Sequence, residues 1–128
     1  MSEFEYIEAC MAQINHMSWA AMDVVTVFFA YCVAAHLVGD RLKSAVAVTA
    51  TFIYTVFLLN PLVGMFTAVT SYWRLMDKGY KLFPDSAYFV SEPASEIAMI
   101  SMVVLPTMLA WFASVIYMHV VQRGNSNA

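Results

Sequence analysis

Charge is what this chain has least of. Asp, Glu, Lys and Arg make up 12% of its 128 residues, against ~25% in an ordinary soluble domain. The six Lys and Arg are scattered through short segments between apolar runs and form no basic patch. That argues against nucleic acid as a partner, because nothing is placed to neutralise a phosphate backbone. The first 18 residues contain no Lys or Arg but do contain Glu3, Glu5 and Glu8. A cleaved secretory signal, which opens on a basic segment, is therefore not expected. Lipid-attachment motifs are missing as well: Ser2 stands where myristoylation needs glycine, and no cysteine lies near the C-terminus. The two cysteines, Cys10 and Cys32, fall 22 residues apart on one expected helix. That is about 33 Å, far beyond the reach of a disulfide, so both are expected as buried thiols. Catalytic signatures are absent too. There is no Gly-rich phosphate loop, His-Glu-x-x-His, Cys-x-x-Cys or Gly-x-Ser-x-Gly elbow, and no enzymatic reaction is expected. The chain has no internal repeat and no low-complexity stretch.

What is abundant is apolar surface, at 62% of residues, where ~45–50% is usual. A soluble fold this small leaves too much surface exposed to hide that excess. The bilayer is its natural solvent. Aromatic residues, 15% of the chain, lie mostly near expected helix ends, where an interfacial belt places them.

Three apolar runs reach the ~20 residues needed to cross a membrane: Trp19 to Gly39, Ser44 to about Trp73, and Glu96 to Val121. The expected fold is an all-α integral membrane protein, a single domain of three transmembrane helices. Helix 1 covers about 3–38, helix 2 about 41–78, an interfacial loop 79–92 and helix 3 about 93–123. Helices 1 and 2 extend beyond the bilayer on the N-terminal side. Ser2-x-x-Glu5 has capping-box spacing, and Phe4, Ile7, Met11 and Ile14 continue an apolar stripe of helical period. Gly39-Asp40 reads as a left-handed helix stop followed by the N-cap of helix 2. Gly79 reads as the end of helix 2, and Arg123-Gly124 as the close of helix 3. Pro93 suits the first position of helix 3, with Glu92 and Glu96 flanking its positive end. Counted over loops, Lys and Arg are tied between the two sides. The basic flank of helix 1, Arg41 and Lys43, favours an outside N-terminus and a cytoplasmic C-terminus, in a bacterial inner or cell membrane.

Four sets of residues are candidates for chemistry. A carboxylate at the centre of a membrane helix costs about 2.5–3.5 kcal/mol, but Asp23 lies only four residues past Trp19, roughly 6 Å into the span, where water still reaches it. With His16 it could form an ion or proton site, or a polar pair tying helix 1 to a neighbour. They share a helical face with Ala20, Val27, Ala30 and Ala34, and those alanines permit close packing. Asn60-Pro61 and Pro106-Thr107 interrupt two helices at one depth near the midplane. Broken helices with polar residues beside them are the makings of a substrate or ion site, although proline is also common in membrane helices. Pro61 in particular leaves the Phe57 carbonyl without its helical donor. His36 and His119, near one membrane surface on different helices, could ligate haem or be interfacial polar residues. Ten methionines, with Met99 and Met102 one turn apart, could bind copper, but their dispersal suits gap-filling. No cofactor is therefore expected overall. The small-residue pairs Gly64-x-x-x-Ala68 and Ala110-x-x-x-Ser114 give helices 2 and 3 packing faces.

Three functions remain in view. The leading expectation is an accessory or structural subunit acting through helix packing, as a homo-oligomer or within a larger membrane complex. The second is a homo-oligomeric ion or small-solute channel or transporter using His16, Asp23, Asn60, Pro61 and Thr107. The third is a haem- or metal-binding subunit using His36 and His119.

Overall fold

The computed structural model describes residues 1–89 and 93–126, without the side chains of 93–96, 125 and 126. It is three helices: α1 (Glu3–Val38), α2 (Ser44–Leu82) and α3 (Pro93–Ser126). All three are long and apolar enough to cross a membrane. In their most apolar 18-residue windows only 11%, 17% and 6% of residues are buried. The apolar side chains therefore face outward and need lipid around them, since exposed apolar area on this scale is unfavourable in water. This is the all-α architecture of a multi-pass membrane protein.

The capping box at the start of α1 is formed. The Glu5 amide donates to Ser2 Oγ at 3.4 Å, and the Ser2 amide to Glu5 Oε2 at 2.6 Å. With 36 and 39 residues, α1 and α2 measure about 54 and 58 Å at 1.5 Å per residue. A ~30 Å hydrocarbon core leaves roughly 25 Å of each helix over.

α1 ends at Val38 with Gly39 as its C-cap, as expected, but not in the left-handed conformation. Gly39 has φ −57° and lies in a short 3-10 turn, Gly39–Arg41. Its missing side chain serves a different purpose, the close approach of α3. A Cβ at Gly39 would stand 3.3 Å from Met118 Sδ and 3.4 Å from Val121 Cγ1. Asp40 belongs to that turn and does not cap α2. After an extended Leu42, the helix starts behind Lys43, whose carbonyl accepts from the amides of Val46 and Ala47. At the other end α2 runs through Gly79 to Leu82, so the loop starts at Phe83. The Phe83 amide donates to the Gly79 carbonyl at 2.8 Å, and an Asp77–Lys81 pair at 2.6 Å supports the last turn. Phe89 lies directly on Gly79, and a Cβ there would run into the Phe89 ring. α3 likewise continues past Gly124. Glu92 lies outside the described residues.

Two clusters hold the helices together. Nearer the 39–43 turn, Tyr31, Ala35, Tyr54, Leu58 and Met118 pack with Val24, Val27 and Trp111 around them. The packing face of α1 is thus Val24, Val27, Tyr31 and Ala35. Ala30 and Ala34, expected to pack, are exposed, because the core lies to one side of the alanine stripe. On the projecting side, Cys10, Met76 and Phe89 form a second buried group with Tyr6, Ile7, Tyr72 and Phe83. The aromatic loop therefore caps the projecting hairpin.

Candidate functional site

The site is built from two stripes on neighbouring helices. On α1, Gln13, His16, Ala20 and Asp23 recur at intervals of three and four residues, so they share a face. On α2, Asn60, Gly64, Thr67 and Ser71 do the same, with Pro61 and Ala68 beside them. The antiparallel pairing of α1 and α2 brings the stripes together as the walls of one polar cleft of about 510 Å³, with Trp19 on its rim. Every lining residue comes from α1 or α2. The cleft therefore lies on the flank of that pair away from α3, which meets α2 through Leu62, Met65, Phe66 and Val69.

Four of the five residues expected to form a transport pathway meet here: His16, Asp23, Asn60 and Pro61. The pattern also adds Gln13, Thr67 and Ser71, which extend the cleft toward the N-terminal side. Asp23, His16 and Asn60 are exposed to it. Among the described residues no hydrogen bond or ion pair engages these three side chains, so their polar atoms are available to a ligand. Thr67 donates its hydroxyl proton to the Val63 carbonyl at 2.5 Å and keeps its oxygen lone pairs. Pro61 lacks an amide hydrogen, so the Phe57 carbonyl one turn away loses its helical donor on the flank that Pro61 lines.

Thr107 does not join them. It lines two apolar hollows on either side of α3, one with Val24, Phe28 and Pro106, the other with Thr55, Leu59 and Trp111. Its hydroxyl donates to the Val103 carbonyl at 2.7 Å. Pro61 and Pro106 share a depth but face different compartments, so they do not make one site.

The two candidate haem ligands are not paired either. His36 Nδ1 lies 2.9 Å from the Tyr117 hydroxyl and bonds to it. His119, two residues beyond Tyr117, is turned about 200° round α3 from it and is exposed. His36 and Tyr117 act as an interhelical tie at the turn end of the bundle. The Gln122 amide adds to that tie by donating to the Leu42 carbonyl at 3.4 Å. Among the described residues no three His, Cys, Asp or Glu side chains stand close enough to hold a metal ion.

A second set of polar residues, inconspicuous in the sequence, stitches the helices together at the core. Tyr31 bonds Thr51 at 2.8 Å, the Trp111 indole donates to Thr55 at 3.0 Å, and Ser114 meets Tyr54 at 3.2 Å. Each of these side chains is already bonded to a neighbouring helix, and none of them lines the polar cleft. They are structural, whereas the cleft is open.

Comparison with models of known families, with curated proteins and with solved structures finds no match to this chain.

Proposed function

We propose that this multi-pass membrane protein binds and passes a small polar or charged solute through the α1–α2 cleft, as an assembly of identical chains. One observation carries the reading: two polar stripes, each within a helix long enough to cross the membrane, face each other across a cleft of about 510 Å³. Polar and ionisable side chains inside a membrane are costly, and they characteristically face a bundle interior or a water-filled path. Here they face outward on a three-helix unit too small to enclose a pore. A second copy of the chain supplies the opposing wall. In the orientation favoured by Arg41 and Lys43, the mouth at Gln13 and Ser71 opens outside and the 39–43 turn is cytoplasmic.

The test is ion and solute flux into liposomes carrying the purified protein, beside native mass spectrometry of its assembly state. Flux that falls at least tenfold in Asp23→Asn, from a defined homo-oligomer, supports the reading. Flux unchanged by that substitution would remove the cleft from the pathway.

A second reading, an accessory subunit of a larger complex, is favoured by the projecting hairpin. Phe4, Met11 and Leu82 remain 72%, 54% and 57% exposed there, and apolar surface of this kind marks contact with another chain. A native mass spectrum showing one copy bound to an unrelated polypeptide would select it.

A further inference from the structure

Resting on the reading of the cleft as a solute site, we propose that its ligand is a lipophilic organic cation: an amine or onium compound of drug size.

Charge is the first argument. Asp23 supplies a carboxylate, and among the described residues neither Lys nor Arg lines the cleft. An exposed, unpaired carboxylate attracts a positive charge brought to it. An anionic ligand would meet repulsion from Asp23, with His16 the one side chain among the described lining residues able to take up a positive charge. Size is the second. A volume of about 510 Å³ falls within the ~300–1,000 Å³ typical of small-molecule sites. It is many times the ~30 Å³ share of a single water, and so far larger than an inorganic ion requires.

The shape and chemistry of the walls agree. Trp19 stands one turn from Asp23 on the same face of α1, is 69% exposed and lines the same cleft. Tryptophan is the strongest of the aromatic partners for a cation. The rest of the wall is small or neutral: Ala20, Gly64 and Ala68 leave room for bulky apolar groups, and a Cβ added at Gly64 would meet nothing within 4 Å. Asn60 and Thr67 can accept hydrogen bonds from a protonated amine.

The experiment uses full-length protein in nanodiscs of zwitterionic lipid and radiolabelled tetraphenylphosphonium as the probe. Expected is saturable binding above that of empty nanodiscs, weakened tenfold or more in Asp23→Asn and about three- to tenfold in Trp19→Ala. Gly64→Leu fills the cleft and should block binding with the carboxylate still in place. It also serves as the second variant if Asp23→Asn does not fold. Tetraphenylborate, the anion of the same shape, should not compete. Binding no greater than in empty nanodiscs, binding unchanged in both Asp23→Asn and Gly64→Leu, or equal competition by tetraphenylborate overturns the proposal. Flux separates the two levels. If the phosphonium does not bind but Asp23-dependent flux of inorganic ions persists, the ligand class is wrong and the cleft remains the pathway. If both are absent, both readings fall.

Discussion

Tyr31 and Tyr54 stack with ring centroids 4.0 Å apart and planes 14° from parallel, and each needs a partner for its hydroxyl because the bilayer offers no water. Tyr31 donates to Thr51, whose own proton goes to the Ala47 carbonyl at 2.9 Å. Ser114 Oγ lies 2.8 Å from the Trp111 carbonyl and 3.2 Å from the Tyr54 hydroxyl. The serine hydroxyl is the donor on both sides, its one proton shared between the Trp111 carbonyl and the Tyr54 oxygen. Ser114→Ala should therefore strand the Tyr54 hydroxyl. Interhelical hydrogen bonds in membranes contribute ~0.6 kcal/mol on average and up to ~1.7, and a loss in that range is expected in reversible unfolding from mixed micelles. No change would mean that Tyr54 finds another partner. None of these pairings follows from the residue types alone. Thr51, Thr55 and Ser114 read as unremarkable hydroxyls in apolar runs, and their importance rests on which tyrosine or tryptophan faces them.

Three glycines on the helices predict three different responses to alanine. At Gly79 the added Cβ would stand 2.3 Å from the Phe89 ring, which is itself wedged against Tyr6, Phe83 and Tyr88. Overpacking of this kind costs about 1–3 kcal/mol. Gly79→Ala should lower the unfolding midpoint and speed proteolysis within 83–89 as Phe89 is displaced. At Gly39 the nearest atom is the flexible end of Met118 at 3.3 Å, and φ is already −57°. The small clash is offset by alanine's helical preference, and Gly39→Ala should change stability by less than about 1 kcal/mol. At Gly64 there is open space, so Gly64→Ala should stabilise by about 0.5–1 kcal/mol. Thermal unfolding of the three variants side by side checks the order. A destabilised Gly64→Ala would show that the cleft wall is more tightly closed than this packing allows. The same elements show that glycine marks a helix end in the sequence only in part. Gly39 does cap α1, though without the left-handed turn, whereas α2 runs on through Gly79, where Phe89 makes a close approach, and α3 continues through Gly124.

Across the whole molecule, three crossings place the N-terminus and the 83–89 loop on one side, and the 39–43 turn with the C-terminal end of α3 on the other. Native thiols leave this open to direct measurement, because Cys10 is fully buried and Cys32 is half-buried within a span. Single cysteines introduced at Ser2 and Ser86 should react with an impermeant maleimide from the same side of sealed vesicles, and one at Lys43 from the opposite side. Labelling of Ser2→Cys and Lys43→Cys from one side would contradict three crossings. Labelling the first pair from outside intact cells would support the favoured orientation.

The number of spans, their order and the projection of α1 and α2 follow from composition and period, because hydrophobic length and a 3.6-residue repeat are properties of a chain read in one dimension. The cleft was half legible in the same way. His16, Asp23, Asn60 and Pro61 stand out as polar or helix-breaking residues within apolar runs, and the 60-64-67-71 and 13-16-20-23 spacings mark two coherent faces. Depth along a helix can be counted from sequence, and it correctly put Pro61 and Pro106 at one level. Direction around the bundle cannot, since it depends on how neighbouring helices cross and rotate. That is why Thr107, matched to Asn60 in depth, belongs to an apolar hollow instead. It is also why His36 meets Tyr117 and not His119, and why two separate polar stripes become one site only when α1 and α2 pack against each other.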